Sequence, residues 1–143
     1  MTPDIRAYLA AWTHDPRRVK PLFAGIASAM AAALPGCGAT LDLVVRPGIT
    51  ASLRASFPGP KTGARPLFAL ADVVEDPQGR FLSVCFYDDA VSDPEEFGQC
   101  VPRGLLGEDA RCFDIESPDP DVLPYLEARL AEAADAKTQK KRL

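Results

Sequence analysis

The residues best suited to nucleophilic chemistry are a single histidine and four cysteines. His14 lies between two helical segments, and the cysteines are Cys37, Cys85, Cys100 and Cys112. A catalytic thiol needs a base beside it, and only the fold can bring His14 to a cysteine. No two cysteines have the C-x-x-C spacing of structural zinc sites. The cysteines therefore predict no metal and no cofactor, and the apolar surroundings of Cys85 and Cys112 favour buried free thiols.

Acidic side chains are concentrated between residues 88 and 96. They are Asp88, Asp89, Asp93, Glu95 and Glu96. Carboxylates can hold Ca²⁺ or Mg²⁺, but a calcium loop needs D-x-D-x-D-G spacing with a glycine at its sharp turn. That spacing is missing here. We therefore predict a solvated acidic loop, and its ability to bind a cation stays open at this point.

The stretch VPRGLLGEDARCFD, which begins at Val101, combines two glycines with an acidic pair and a cysteine. Glycine-rich backbone can turn its amides towards an anion, but a phosphate loop normally leads into a helix. This stretch leads into an apolar strand, and its acidic pair would repel phosphate. We therefore predict a bend in which Gly104 and Gly107 adopt positive φ, while the two leucines between them cover apolar surface. Arg111 is expected to pair with a nearby carboxylate.

Length, composition and charge limit the class of protein. At 143 residues, with 47% hydrophobic and 25% charged side chains, the chain fits one globular domain. The net charge is −4, and residues 66–121 carry fourteen acidic and three basic side chains, which argues against a nucleic-acid partner. No apolar run reaches the ~18 residues that a membrane span needs, and no secretory signal is visible. We predict a cytoplasmic domain over residues 1–136, no membrane partner, and a disordered basic tail at 137–143.

Helix signals occupy the two ends of the chain. Thr2, followed by a proline, predicts the start of a first helix. A second apolar stripe of helical spacing begins at Leu22, and Pro21 is expected to interrupt or restart this helix. A last amphipathic helix follows Asp119 or Asp121, either of which can cap its first turn.

Between the helices, the apolar spacing changes to a period of two. This alternation predicts a hairpin over residues 41–55, two longer strands at 67–74 and 81–87, and a short strand at 110–115. Separate blocks of helix and strand indicate an α+β fold. We expect two layers, with one twisted antiparallel sheet of about five strands and the N-terminal and C-terminal helices packed on one face.

The turn between the two longer strands sets a register that divides the sheet into two sides. Pairing Val74 with Phe81, and Phe68 with Tyr87, places a wholly apolar set on one side, which we assign to the core. That set is Ala69, Ala71, Val73, Leu82, Val84 and Phe86. The other side mixes polar and apolar residues, as binding surfaces do. Its candidate site residues are Arg54, Asp72, Ser83, Cys85, Tyr87, Cys112 and Asp114.

The segments RPLFALADVVEDPQGRFLSVCFYDD and DPEEFGQCVPRGLLGEDARCFDIE resemble a group of small uncharacterised bacterial proteins. The shared features are an LSVCFY strand, a DPEE segment and a GLLGED-x-x-CFD segment, and they cover about residues 66–116. Arg103 stands where the pattern of the group has a glycine, which implies a different first turn. The resemblance implies a compact cytosolic α+β domain, and it brings no activity or catalytic residue with it.

The leading interpretation is an accessory domain that binds a protein partner or a small molecule on the mixed side of the sheet. Four alternatives remain open. The mixed side could be solvated surface on which Asp72 pairs with Arg54, or it could lie under a loop. Carboxylates such as Asp72 and Asp114, or the thiol of Cys112, could make it the active site of an enzyme. A second copy of the chain could pack on it and form a homodimer.

Overall fold

The computed structural model describes residues 1–36, 38–57 and 65–135. Two helices come first, six strands follow, and a third helix ends the fold. The elements are α1 (Pro3–Ala11), α2 (Lys20–Ala33), β1 (Thr40–Arg46), β2 (Thr50–Ser56), β3 (Leu67–Val74), β4 (Phe81–Tyr87), β5 (Gln99–Leu105), β6 (Glu108–Ile115) and α3 (Val122–Ala134), with single-turn 3-10 helices at Leu34–Gly36 and Asp88–Ala90. Cys37, most of the loop between β2 and β3, and the predicted basic tail at 137–143 lie outside the described residues.

Side-chain caps start the first two helices. The Thr2 hydroxyl accepts a hydrogen bond from the Ile5 amide at 3.3 Å, which confirms the predicted start of α1. Before α2, the Asp15 carboxylate accepts hydrogen bonds from the Val19 amide at 3.1 Å and from the following amide at 2.9 Å. Pro21 lies in the first turn of α2, where no amide hydrogen is needed. The proline therefore starts this helix and does not interrupt it.

All six strands form one antiparallel sheet in the order β1-β2-β3-β4-β6-β5. The α+β class is confirmed, and β3 and β4 pair in the predicted register, with Val74 opposite Phe81 and Leu70 opposite Cys85. The predicted count of about five strands is one too low. The additional strand is the edge strand β5, which is exposed at every residue except its last. Its sequence contains a proline and a glycine, so it shows no clear alternation of apolar and polar residues.

An irregularity near the start of β3 changes the side to which Phe68 belongs. The pairing of β2 with β3 is regular up to Ala69, and the next pair joins Ser56 to Leu67. One residue of β3 is therefore extra, as in a β-bulge. Phe68 packs in the helix-side core, and Leu67 packs with Tyr87 on the opposite side. The predicted pairing of Phe68 with Tyr87 is thus wrong, because alternation by itself does not reveal a bulge.

The helices cover one side of the sheet. Buried side chains of α1, α2 and α3 form one cluster with the apolar side of the central strands. The six residues that the sequence assigns to the core belong to this cluster, and each is at most 1% exposed. Burial of apolar surface is the main favourable term in folding, so this cluster holds the sheet against the helices. Within the described ranges, no helix combines the length and the apolar character needed to cross a bilayer.

The stretch after Val101 forms a β5–β6 hairpin in place of the predicted loop and bend. Leu106 and Gly107 make the turn, and both have positive φ, as type I′ turns require. Leu105 is buried, at 2% exposed, whereas Leu106 is 64% exposed. Only one of the two leucines therefore covers apolar surface as predicted.

An irregularity interrupts the pairing of β5 between Val101 and Leu105, where three residues of β5 lie opposite one residue of β6. Gly107 adopts the predicted positive φ, but in this irregular stretch the residue with positive φ is Arg103, at 56°, and not Gly104. Gly104 is needed for space, because a Cβ atom there would lie 2.6 Å from Val101 Cγ1. The prediction that the backbone needs glycine at both positions is therefore correct, but Gly104 is needed for space and not for positive φ.

Acidic residues after β4 are engaged in ion pairs, so the prediction of a solvated loop is only partly correct. Asp88 pairs with Arg111 at 2.9 Å, which confirms the predicted carboxylate partner for that arginine. Asp89 pairs with Arg65 at 2.7 Å. These two pairs tie the 3-10 turn after β4 to β6 and to the start of β3.

Asp93 connects the rest of this loop to α3 through hydrogen bonds. Its carboxylate accepts hydrogen bonds from the Tyr125 hydroxyl on α3 and from the backbone amides of Phe97 and Gly98. Burial alone would raise the pKa of Asp93, but these hydrogen bonds hold it below its ordinary value. The loop is thus built around a buried acceptor.

Candidate functional site

The side of the sheet opposite the helices, here called the open face, carries the candidate site residues. Cross-strand pairing arranges this face in rows that run across the sheet. The two central rows are Val44–Ser52–Asp72–Ser83–Asp114 and Asp42–Arg54–Leu70–Cys85–Cys112–Gln99. Six of the seven residues predicted for the site lie in these rows, and the seventh, Tyr87, lies in the next row. The division of the sheet into two sides is therefore confirmed.

The first row places a carboxylate on each side of Ser83. The Ser52 hydroxyl donates a hydrogen bond to Asp72 at 2.5 Å, which fixes that carboxylate on the sheet. Asp114 is exposed. One strand separates the two carboxylates, and strands are ~4.8 Å apart, so Asp72 and Asp114 stand about 10 Å from each other. That separation excludes a proton shared directly between them.

The second row brings two thiols together. Cys85 on β4 and Cys112 on β6 are directly opposite each other. Cys85 is buried, as predicted, and its sulfur lies 3.7 Å from the Ser83 hydroxyl. Cys112 is only half-buried, so the prediction of a buried hydrophobe is correct for one thiol and incomplete for the other.

The two thiols differ in how readily they ionise. A hydrogen bond from the Cys85 thiol lowers the pKa of Cys112, because a donor stabilises the thiolate. The same bond, together with burial, raises the pKa of Cys85. Cys112 is therefore the thiol of this pair that ionises first, and a thiolate is the nucleophilic form of cysteine.

Arg54 does not form the predicted pair with Asp72. The register places Arg54 between Asp42 on β1 and Leu70 on β3, and Asp72 is instead held by Ser52. Among the residues that the structure describes, no carboxylate lies within ion-pair distance of Arg54. Arg54 is half-buried, and its neighbour in the row is the exposed Asp42 on β1.

Tyr87 lies on the open face but is fully buried. The guanidinium of Arg65 stacks on its ring, 4.2 Å from the centroid, and Arg65 in turn pairs with Asp89 and Glu108. Ala90 and Leu105 pack in the same small cluster. One end of the open face is therefore covered, as one of the alternatives predicted, and Tyr87 cannot contact a ligand there without rearrangement.

Arg65 is the residue of this region that sequence reasoning missed. It is 3% exposed, although it follows a loop rich in proline and glycine. An arginine after such a loop has no pattern that predicts burial, since its partners Asp89 and Glu108 are distant in sequence. Burial lowers the pKa of Arg65, but the hydrogen bonds that its guanidinium donates to both carboxylates outweigh this and raise it. The guanidinium therefore stays charged.

Cavities of moderate size lie at several places around the fold. One of about 360 Å³ is lined by His14, Glu75 and Arg80, among others, and a smaller one of about 180 Å³ touches the open face at Asp114. The His14 carbonyl accepts a hydrogen bond from the Trp12 indole at 3.0 Å, so the backbone of His14 helps to hold the junction between α1 and α2. In the described ranges, no three His, Cys, Asp or Glu side chains are grouped to hold a metal ion.

In comparisons with known proteins, no family model, curated protein or solved structure matches the chain. The resemblance of residues 66–116 to a bacterial group therefore stays a prediction, and the function has to be argued from the open face itself.

Proposed function

We propose that the chain is a binding domain that takes a protein partner on its open face. The observation that supports this most directly is the composition of that face. Half-buried apolar side chains lie there beside fixed polar groups, while buried side chains of α1, α2 and α3 all pack on the other side. The outer side of an antiparallel sheet is commonly polar, and a mixed surface is typical of an interaction site. The apolar members are Val44, Leu70, Val74 and Phe81.

The shape of the open face favours a protein over a small molecule. Small-molecule sites are concave and enclose most of their ligand. The two central rows cross five and six strands and are therefore on the order of 20 Å wide. A surface of that breadth matches one side of a modest protein–protein interface.

Charge on the open face indicates what the partner presents to it. Asp72 and Asp114 place two carboxylates in one row, and Asp72 is held by Ser52 so that it keeps its position. Arg54 lies towards the β1 edge. We infer that the partner places basic side chains opposite the two carboxylates, since complementary charges fix the register of an interface and speed its formation.

A site-specific photo-crosslinker tests this proposal in the source cells. The photoreactive amino acid replaces Ser83 at the centre of the open face, and a matched chain carries it at Ser28, which is exposed on α2. We expect a protein adduct from the Ser83 position that is missing from the Ser28 position. Adding Asp72→Arg to the Ser83 chain should reduce the adduct at least about tenfold, because a buried like charge at an interface costs several kcal/mol.

Thermal unfolding of each purified variant shows whether the fold is kept. An adduct with twice the mass of the chain identifies the partner as a second copy, and one with another mass identifies a different protein. The same adducts from both positions, or none from Ser83, would overturn the proposal and leave the small molecule as the ligand class to examine.

A further inference from the structure

Cys85 and Cys112 meet the geometric requirements for a disulfide. They are directly opposite each other on neighbouring antiparallel strands and lie on the same face. Residues in such pairs have Cα atoms about 4.5 or 5.5 Å apart, and both separations lie within the range that a disulfide spans. Neither thiol needs the chain to refold in order to reach the other.

We propose that Cys85 and Cys112 are a reversible thiol–disulfide exchange site, at which Cys112 attacks a low-molecular-weight disulfide and Cys85 resolves the product. This inference is independent of the partner-binding proposal, because it concerns the purified chain and a small disulfide alone.

The two thiols differ in access, and this assigns their roles. Cys112 is half-buried, and the next residue in its row is the exposed Gln99 on the edge strand β5. Cys85 is 8% exposed and lies between Cys112 and Leu70. A disulfide reagent that approaches from the β5 edge therefore meets Cys112 first. The lowered pKa of Cys112 agrees with this order.

The exchange takes place in two balanced steps. The Cys112 thiolate attacks one sulfur of the reagent, the S–S bond of the reagent breaks, and the released thiolate takes up the proton that Cys112 lost. Cys85 then gives up its proton and attacks the Cys112 sulfur, which forms the Cys85–Cys112 bond and releases the second thiol. The dithiol is oxidised by loss of two hydrogens, and the reagent is reduced to two thiols.

Capping of Cys112 prepares Cys85 for the second step. The largest cause that raises the pKa of Cys85 is its hydrogen bond to the Cys112 sulfur. Once Cys112 carries the mixed disulfide, it is no longer a thiolate, and that hydrogen bond loses its strength. Cys85 then ionises more readily than in the free dithiol, with its target sulfur already opposite it.

Glutathione disulfide is the probe, and a chain with Cys37→Ser and Cys100→Ser is the reference, so that only the pair remains. Treatment of the folded reference chain should remove both free thiols, lower the mass by two hydrogens and leave no glutathione attached. Peptide mapping of the oxidised wild type should show the Cys85–Cys112 link. Dithiothreitol should restore both thiols.

Single substitutions separate the two roles. Cys85→Ala in the reference chain should retain glutathione on Cys112, because the resolving thiol is missing. Cys112→Ala should leave Cys85 reacting roughly tenfold or more slowly, and thermal unfolding checks that both chains are folded. A glutathione adduct that persists in the reference chain, or thiols that react only as fast as the protein unfolds, would overturn the proposal.

Discussion

Tyr87 is a buried phenol whose hydroxyl group has no hydrogen-bond partner among the described residues. Its ring is stacked under the Arg65 guanidinium, and such contact depends on the aromatic face and not on the hydroxyl. A buried hydroxyl without a partner costs ~1–3 kcal/mol of desolvation free energy. The side chain therefore contributes through its ring, and its oxygen opposes folding.

Replacing Tyr87 with phenylalanine should leave the fold intact and stabilise it by about 1 kcal/mol at neutral pH. The measurement is the free energy of unfolding from urea titrations of both proteins. Tyr8→Phe is the control, because Tyr8 is only partly buried and should change little. A loss of stability in the Tyr87 variant would show that the hydroxyl has a partner after all.

The wild type and Tyr87→Phe should also differ in how their stability changes at high pH. Burial, with a smaller effect of Glu108, raises the pKa of Tyr87 from 10.0 to about 12. Because the folded-state value is above the unfolded one, the stability linked to this group is fully present below pH 10 and is lost as the pH rises towards 12. The wild type should lose stability over that window more steeply than Tyr87→Phe. Equal slopes would contradict the raised pKa.

At the scale of elements, the β5–β6 hairpin shows how backbone geometry and sequence conflict at one position. Arg103 has φ of 56°, a left-handed conformation that costs a residue with a Cβ atom roughly 1–2 kcal/mol. Its side chain is exposed, and its amide is held by Asp109 at 3.1 Å.

Arg103→Gly should therefore be more stable than Arg103→Ala by about 1 kcal/mol, although glycine usually destabilises folded chains. Both substitutions remove the same exposed side chain, so their difference isolates the backbone. Thermal or urea unfolding gives the comparison. Arg46 at the end of β1 is a suitable control site, because its φ is not positive and alanine should be preferred there. The same order of stabilities at both sites would contradict the strained angle.

At the scale of the whole molecule, the two sides of one sheet have different environments. Ser83 and Val84 are neighbours on β4, yet Ser83 is half-buried on the open face and Val84 is fully buried against the helices. A charge placed on the open face should therefore be tolerated, whereas a charge placed on the helix side should strongly destabilise the fold. The open face is available for a partner only if it is not itself part of the core.

Ser83→Lys should cost less than about 1 kcal/mol of stability, since its ammonium group can reach solvent and lies between Asp72 and Asp114. Val84→Lys should unfold the protein or cost more than about 4 kcal/mol, because the charge would be buried without a partner. Circular dichroism with urea titration compares the two. Similar losses in both variants would show that the open face is covered.

The features of the fold that could be predicted from the sequence depend on interactions between residues close together in the chain. Period-two alternation in residues 67–74 and 81–87 identified both central strands and, except at the bulge beside Phe68, their two sides, because each side chain either packs on the helices or does not. The same alternation placed Ser83, Cys112 and Asp114 on one face. Thr2 identified a helix start for an equally local reason, since its hydroxyl caps an amide only three residues away.

The features that the sequence did not supply depend on contacts between distant residues. Arg65 is buried by carboxylates on other elements, Tyr87 is covered by Arg65, and the β5 strand pairs with β6. The position of Cys85 opposite Cys112 likewise follows from the pairing of β4 with β6, across 27 residues of chain. Alternation determines the side of a strand on which a residue lies, but only tertiary packing determines which other residue stands beside it.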